Sequence, residues 1–317
     1  RSFRKNFKKE IILKKKILVV GGTGFIGFHL IKKLKNKKFI VDSISTKQPL
    51  KKRTINGVKY ILTDISNLAK LKKSIKEDSY SHVINLAGHV DHRNKKKTLN
   101  SHFIGCKNLV NIFLKSKIKR FIQIGSSGEY GNMTSPHYEN FDAVPLTIYN
   151  LAKKKASDFL INSFKKSRFP VTIFRLYLAY GPNQDENRFI PIVIKNCLKD
   201  KSFELSHCNQ YRDFIYIDDF VSLIIKSFKI KKSIGEIFNI GSGKPIKLKI
   251  IINKIKKHIK GGKPIFGEKK LRKDEIYKIY PNIDKAKTFF KWFPKTSIDN
   301  GLLKTVKFYK KVNLDKL

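Results

Sequence analysis

A short apolar segment followed by three evenly spaced glycines constrains the fold of this chain more than any other feature. The apolar segment covers residues 17–20, and Gly21, Gly24 and Gly27 come directly after it. Apolar residues then recur at helical intervals as far as Leu34. This order predicts a buried strand, a tight turn and a helix, because glycine permits a positive φ in the turn and close packing of the helix against the strand.

The first turn of the predicted helix offers a site for an anion. Amide groups at the start of a helix have no acceptor within it, and the helix dipole adds to their attraction for negative charge. The pyrophosphate of a dinucleotide matches such a site. We therefore predict cofactor contacts at Gly21, Gly24, Phe25, Ile26 and Gly27.

Segments rich in β-branched residues alternate with helical segments along the first half of the chain. Such alternation builds a doubly wound parallel sheet, so the predicted fold class is α/β of the Rossmann type. We predict a dinucleotide-binding domain at residues 14–180, to which a strand near 237–243 returns, and a smaller, interleaved α+β substrate lobe at 181–317. The predicted strands of the first domain cover residues 17–20, 39–44, 58–62, 82–86, 120–124 and 171–174, and its clearest helices cover 99–114 and 148–164.

The net charge of +45 raises the question of a nucleic-acid partner. The lysines are spread along the whole chain and no nucleic-acid-binding motif accompanies them, so we expect no specific nucleic acid. No apolar run approaches the roughly 18 residues of a membrane span, and we expect no membrane association. The cysteines and histidines show no metal-ligand spacing, which predicts no metal site and a reducing, cytoplasmic location. The chain begins with Arg1 rather than methionine, which leaves open where its natural N-terminus lies.

Two pairs of polar residues follow the fifth predicted strand, at the edge where open α/β sheets bind their ligands. Ser126 and Ser127 come directly after the strand, and Tyr149 and Lys153 lie four residues apart on one face of the next helix. An ammonium close to a phenol lowers the phenol pKa by about 1–3 units, which suits it to proton transfer. A serine hydroxyl could hold the substrate oxygen while hydride moves to or from a nicotinamide.

Together these motifs resemble the extended short-chain dehydrogenases that modify nucleotide sugars, the epimerase/dehydratase proteins. The resemblance extends from about residue 16 to residue 243. The order of the motifs is specific for this superfamily and much less specific for the reaction. The matching segments are residues 21–27, 126–127, 149–153, 175–177, 180–182, 212–215, 218–219 and 239–243.

The resemblance implies roles for residues at matching positions. Tyr149 is the expected proton donor or acceptor, Lys153 its electrostatic partner and a ribose ligand, and Ser126 the hydroxyl on the reacting oxygen. Ser127 and Arg212 are expected to bind the substrate, and a forked guanidinium suits a diphosphate. Further cofactor contacts are implied on the adenine side at Asp64 and Ile65, and near the nicotinamide at Leu86, Ala87 and Gly88.

Departures from the family pattern narrow the reaction. Dehydratases of this family carry an Asp-Glu pair directly after the serine or threonine, whereas this chain has Ser127 and Gly128 there. Glu129 comes one place too late, and strand alternation predicts that it faces away from the site. Elimination is therefore disfavoured. Leu178 and His102 stand where many relatives have asparagine, which leaves the substrate undetermined.

The end of the second strand predicts the cofactor. NAD-specific members place an acidic residue about 18–20 positions after the last glycine of the motif, where it binds the ribose 2′-hydroxyl. This chain has Ser45, Thr46 and Lys47 there, and Asp42 lies three residues too early. Hydroxyls and a cation suit a 2′-phosphate, so NADP is favoured over NAD.

We therefore predict an NADPH-dependent reduction of a 4-keto-6-deoxy sugar nucleotide, within the broader class of sugar-nucleotide epimerases and reductases that supply polysaccharide biosynthesis. The loop at residues 124–131 also resembles that of 4-keto-6-deoxy-sugar reductases. One alternative is a nucleotide-sugar epimerase with tightly bound NAD. Another is a non-catalytic Rossmann protein that binds RNA or a protein partner. Many members of the family that the chain resembles pair two helices of the Rossmann domain across a two-fold axis, so the resemblance implies a homodimer through the helices at residues 107–118 and 152–164.

Overall fold

Seven parallel strands form the central sheet of the protein. The structure is a computed structural model that describes residues 16–88, 94–142, 144–271 and 275–314. The start of the first predicted domain, at residue 14, and the end of the second, at residue 317, therefore lie outside the described residues. The strands of the central sheet are β1 (Lys16–Val20), β2 (Val41–Ser45), β3 (Lys59–Leu62), β4 (Tyr80–Asn85), β5 (Arg120–Ser126), β6 (Val171–Leu176) and β11 (Glu236–Ile240). Shorter strands outside it are β7 (Leu178–Tyr180), β8 (Ser202–Leu205), β9 (Tyr211–Arg212), β10 (Phe214–Tyr216), β12 (Ile246–Lys247), β13 (Lys263–Phe266) and β14 (Lys278–Ile279).

Helices cover both faces of that sheet. They are α1 (Phe25–Asn36), α2 (Leu68–Ser74), α3 (Lys95–Leu99), α4 (Gly105–Phe113), α5 (Ile148–Ser167), α6 (Phe189–Leu198), α7 (Ile217–Ser227), α8 (Leu248–Ile259), α9 (Asp284–Phe290) and α10 (Ile298–Leu314). A π-helical turn over Asn100–Ile104 joins α3 to α4, and a 3-10 turn over Ser127–Tyr130 follows β5. Within the described ranges, none of the helices combines the length and the apolar character needed to cross a bilayer.

The strand order of the sheet is β11-β6-β5-β4-β1-β2-β3, and every pairing in it is parallel. The direction of winding reverses between β1 and β4, and a crevice forms at such a switch point beyond the carboxyl ends of the strands. This order confirms the predicted α/β fold of the Rossmann type.

The structure shifts several predicted boundaries. β2 begins at Val41 rather than at residue 39, and β4 ends at Asn85, so Leu86 lies in the loop after it. β5 extends to Ser126, which makes that serine the last residue of the strand. The predicted helix at 99–114 is the second part of a longer helical segment that begins with α3.

The apolar composition of β1 follows from its position in the middle of the sheet. All four residues of the apolar segment 17–20 are buried, and alternate side chains enter opposite layers. Ile17 and Val19 pack in the layer of α1 and α7, whereas Leu18 and Val20 pack in the layer of α4 and α5. A strand buried on both faces therefore shows a continuous apolar run rather than an alternating one.

The remaining short strands lie outside the central sheet. β7 pairs with β10, β9 with both β12 and β14, and β8 with β13. Arg53 and His29 are among the side chains that connect this region to the nucleotide-binding half. Arg53 donates to the Asn183 carbonyl and to Asp185 Oδ1, each at 2.6 Å, and His29 forms a 2.8 Å hydrogen bond with the Pro182 carbonyl. The exact boundary between the two predicted domains stays a prediction.

Candidate active site

Two glycines of the turn after β1 are required by close contacts between backbone segments. Gly21 has a φ of +81°, and a Cβ there would lie 2.9 Å from the Ala87 nitrogen. A Cβ on Gly27 would lie 2.5 Å from the Gly21 carbonyl oxygen and 2.5 Å from Gly22 Cα. Because backbone atoms cannot move aside as a flexible side chain can, these positions exclude any larger residue.

Gly24 differs because the space beside it is open. A Cβ there would meet only the Gly21 carbonyl oxygen, at an ordinary 3.4 Å. The first hydrogen bond within α1 runs from the Phe28 amide to the Gly24 carbonyl, so the amides of residues 25–27 precede it. The first turn of α1 also contains no acidic side chain. These donors, the helix dipole and the open approach fit the pyrophosphate of a dinucleotide.

The end of β2 carries hydroxyl groups and a lysine. The Thr23 amide donates to Ser45 Oγ at 3.4 Å, while Thr46 and Lys47 are exposed. Asp42 is buried and accepts hydrogen bonds from Lys16 Nζ at 3.2 Å and from the Tyr80 hydroxyl at 2.8 Å. Burial and this contact with Asp42 raise the pKa of Tyr80. The Asp42 carboxylate is therefore engaged near the start of β2.

The loop after β4 connects the glycine turn to the helix that carries Tyr149. The Ala87 amide donates to Asn85 Oδ1 at 3.1 Å, which fixes the loop beside Gly21. A Cβ on Gly88 would lie 2.0 Å from His102 Cε1. The His102 ring in turn meets the Tyr149 ring edge to face, with 5.0 Å between the ring centroids. Tyr149 thus lies one side chain away from the loop predicted to face the nicotinamide.

Ser126 is the last residue of β5, and Lys153 of α5 reaches the same strand. Ser126 Oγ accepts a 3.1 Å hydrogen bond from the Gly128 amide, and a Cβ on Gly128 would lie 2.0 Å from Asn150 Oδ1. Lys153 is buried, and its ammonium donates to the Ile124 carbonyl at 2.7 Å. The structure therefore places Ser126, Tyr149 and Lys153 at one edge of the sheet. The effect of Lys153 on the Tyr149 phenol stays a prediction.

Glu129 belongs to the 3-10 turn after β5. It is fully buried, its Oε1 accepts from the Ser126 amide at 2.8 Å, and its Oε2 accepts from Arg175 Nε at 2.9 Å. Burial alone would lower the pKa of Arg175, but the Glu129 carboxylate raises it. The carboxylate is committed to these contacts, as expected for a side chain directed away from the substrate edge.

Arg212 lines a cavity of about 880 Å³ on the side of the smaller strands. Its guanidinium pairs with Glu275 and donates to the Tyr211 carbonyl at 2.8 Å. The next residue, Asp213, accepts from the Ser242 amide at 2.5 Å, so two of the recognised motifs meet here. Leu178, one of the noted departures, lines the same cavity. Sequence reasoning did not find Lys269, Lys270 and Glu275, which also line it.

The remaining predicted site residues occupy several environments. Asp64 is exposed, and its Oδ1 accepts from the Ser66 amide at 2.8 Å. The Ile65 side chain is buried and fills the space beside Gly105. Ser127 is half-buried in the turn after β5, and Phe25 and Ile26 pack with the core beside α1.

Comparisons with known proteins identify relatives of this chain and agree with its fold. Residues 17–241 match the family model described as NAD dependent epimerase/dehydratase family. The chain is 29% identical to a UDP-glucuronate 4-epimerase of Thermodesulfobacterium geofontis, over 92% of this chain and 95% of the relative. It is 28% identical to a CDP-abequose synthase of Salmonella muenchen, over 92% and 96%. A crystal structure of UDP-glucuronic acid 4-epimerase from Bacillus cereus, in complex with UDP-glucuronic acid and NAD, superposes with a TM-score of 0.84 at 27% identity and covers 94% of this chain and 99% of that one.

The contrast between Gly24 and Gly27 yields a prediction about dinucleotide binding. Gly24→Ala should leave the melting temperature within about 2 °C of the unmodified protein, because its Cβ meets no protein atom closer than 3.4 Å. The same methyl group would obstruct the pyrophosphate and should weaken NAD(P)H binding at least about tenfold, measured by fluorescence titration. Gly27→Ala should instead lower the melting temperature by several degrees, because its Cβ would strike backbone. Unchanged dinucleotide binding by Gly24→Ala would contradict the prediction that the pyrophosphate lies beside Gly24.

Proposed function

The chain belongs to the NAD-dependent epimerase/dehydratase family, and we propose that it reduces a 4-keto-6-deoxy sugar carried on a nucleoside diphosphate, with NADPH as the hydride donor. The observation that carries this proposal is the arrangement at the carboxyl ends of β4 and β5. Tyr149 packs on His102, which fills the space beside Gly88 in the loop after β4, and Ser126 and the Lys153 ammonium lie at the end of β5. These are the groups that proton and hydride transfer at a sugar carbon require.

The described residues suit each part of the cofactor. The amides of residues 25–27 would hold the pyrophosphate, and Asp64, which is exposed after β3, would contact the adenine side. Leu86, Ala87 and Gly88 would line the pocket near the nicotinamide, which when bound supplies hydride to the substrate carbon or accepts it. Lys153 would donate to the hydroxyls of the adjoining ribose.

The protein residues would manage the proton and the substrate oxygen. Ser126 would donate a hydrogen bond to the C4 carbonyl oxygen and hold it in place. Tyr149 would then deliver its phenolic proton to that oxygen, so that C4 gains a hydride, the oxygen gains a proton and the carbonyl becomes a hydroxyl. The positive charge of Lys153, one helical turn away, would favour the phenolate that remains.

The turn after β5 argues against elimination of water. That reaction needs an acid and a base beside the sugar, and Ser127 and Gly128 occupy the positions where dehydratases of this family carry them. Glu129 is buried and bound to Ser126 and Arg175. Transfer of hydride and proton at one carbon needs neither group.

The cavity beside Arg212 suits the nucleoside diphosphate. Its volume of about 880 Å³ is in the range of small-molecule sites, and it contains Arg212, Lys269 and Lys270 as cations for phosphate. The Glu275 carboxylate fixes the Arg212 side chain and leaves part of the guanidinium fork for a ligand.

The choice of NADP over NAD rests on the end of β2. The Asp42 carboxylate is engaged by Lys16 and Tyr80, and the residues at the strand end are Ser45, Thr46 and Lys47. Hydroxyls and an ammonium would bind a 2′-phosphate, whereas a 2′-hydroxyl is usually bound by a carboxylate.

A second candidate is a nucleotide-sugar 4-epimerase, which the comparisons favour. A relative and a solved structure named as 4-epimerases of UDP-glucuronate are 29% and 27% identical over more than nine-tenths of this chain. Epimerisation would use the same three side chains in both directions, with cofactor retained between the two hydride transfers.

We also propose a cytoplasmic location, which accords with the free thiols of Cys106, Cys197 and Cys208.

An assay with purified protein separates these functions. We expect stoichiometric oxidation of NADPH, followed by absorbance, with a 4-keto-6-deoxy sugar nucleotide. Isomer formation without added cofactor would reject the reductase in favour of the epimerase.

Tyr149→Phe keeps the ring that packs on His102 and should lower kcat by about 10²–10⁴ while NADPH binding stays unchanged. Absence of turnover with every sugar nucleotide would favour the non-catalytic alternative, a protein that binds RNA or another protein.

The cofactor preference can be tested by binding alone. Ser45→Asp places a carboxylate at the end of β2, where it should repel the 2′-phosphate and accept hydrogen bonds from a ribose diol. We expect NADPH affinity to fall at least about tenfold and NADH affinity to rise, both measured by fluorescence titration. Thr54→Asp, at an exposed position beyond the strand, is the matched control for added charge. Tighter binding of NADH than NADPH by the unmodified protein would contradict the proposal.

We also propose a homodimer through α4 and α5. Phe103 and Phe159 pack on each other beside these helices and remain partly exposed, with Lys107 Nζ 5.6 Å and 5.9 Å from the two ring centroids. A partner helix could cover these rings. Sedimentation equilibrium should give twice the chain mass at micromolar concentration, and Phe159→Lys should shift it to the monomer mass. A monomer in the unmodified protein would exclude this interface.

A further inference from the structure

We propose that Glu129 is a positioning residue for the reaction, because its carboxylate holds the turn that presents the Ser126 hydroxyl. This inference rests on the function proposed above. Glu129 has no counterpart in the catalytic scheme, since it lies one place beyond the acidic pair of the dehydratases. Its contacts are nevertheless among the most completely formed in the described part of the site.

The two residues bind each other reciprocally across the 3-10 turn. Glu129 Oε1 accepts from the Ser126 amide at 2.8 Å, and Ser126 Oγ accepts from the Gly128 amide at 3.1 Å. Together they form a capping box, in which each end of the turn satisfies a donor of the other. The backbone at Ser126 is extended, with φ −145° and ψ 146°, and the carboxylate fixes it there.

The Glu129 carboxylate is buried and forms an ion pair with Arg175. Glu129 is 0% exposed, and its second oxygen accepts from Arg175 Nε at 2.9 Å. Arg175 is itself buried on β6, with its guanidinium 4.6 Å from the centroid of the Tyr130 ring. A buried carboxylate is stable only when it is paired and hydrogen-bonded, and both of its oxygens are.

The strand below the turn leaves room for the carboxylate. Gly125 lies opposite Arg175 in the register of β5 and β6. A Cβ on Gly125 would lie 2.4 Å from Glu129 Oε1. Any other residue at position 125 would therefore displace Glu129 from the Ser126 amide, so the glycine and the acid belong to one arrangement.

The arrangement determines which hydrogen Ser126 can offer to a substrate. A hydroxyl has one donor and two acceptor sites, and the Gly128 amide uses one acceptor site. Among the described residues no acceptor takes the Ser126 hydroxyl hydrogen, so it is available to a substrate oxygen. Release of the Ser126 amide from Glu129 would allow the backbone, and this hydrogen with it, to change direction.

A double-mutant cycle tests whether Glu129 acts through Ser126. Glu129→Gln should lower kcat about tenfold or more for the sugar nucleotide that the unmodified protein converts, with KM and NADPH affinity within about threefold. In a Ser126→Ala background, the same substitution should change kcat by less than about threefold, because the hydroxyl that it positions is gone.

Two further variants guard against a trivial loss of folding. Glu129→Met with Arg175→Met removes both buried charges together, which avoids an unpaired ion, and should show the same loss of kcat with a cooperative thermal transition. Glu139→Gln is the matched control, since Glu139 also accepts a backbone amide, that of Asn239 at 2.8 Å, and has no contact with Ser126. Its kcat should stay within about twofold.

The outcomes separate this inference from the proposed function. Unchanged kcat in Glu129→Gln and in the double methionine variant overturns the inference alone, as does an equal loss of kcat with and without the Ser126 hydroxyl. A protein that converts no sugar nucleotide overturns the proposed function, and the inference with it.

Discussion

The structure depends on the close approach of three backbone segments at the turn after β1. The start of α1 touches the turn at Gly27, and the turn touches the loop after β4 at Gly21. Side chains at these glycines would separate β1 from α1 and from the loop after β4. The winding of the sheet also reverses here, and a crevice forms at such a switch point. The glycine contacts that pack these segments together therefore lie beside the crevice. Core packing and the proposed cofactor site therefore share one set of atoms.

A chain of single contacts extends from that turn to the proposed chemistry. Gly88, in the loop after β4, leaves space for the His102 ring, and that ring packs against Tyr149. On the far side, the Lys153 ammonium reaches back to the end of β5. Each step is a contact between elements that belong to the central sheet or cover it. The position of the phenol thus follows from packing of the whole nucleotide-binding half rather than from a flexible loop.

Sequence predicted the central sheet well because strands buried on both faces are continuously apolar, as residues 17–20 show. It predicted the small sheets poorly, since β9, β12 and β14 have two residues each and show no periodicity. The cavity beside Arg212 could not be predicted, because Lys269 and Glu275 reach it only through tertiary folding. The contact between Glu129 and the Ser126 amide was not predicted from the sequence, although a spacing of three residues is a capping-box signal.

The proposed preference for NADP depends on the side chains at the end of β2 and not on the fold as a whole. Asp42 lies three residues before the end of β2, so roughly 10 Å of strand separates it from the edge where a ribose would lie. Its carboxylate is also neutralised by Lys16 and hydrogen-bonded to Tyr80. Lys47 is then the charged residue that follows the strand, and in the proposed function it would attract the 2′-phosphate of NADP, which a carboxylate there would repel. Because the residues that follow β2 are exposed, their charge can change without altering the packing of the sheet.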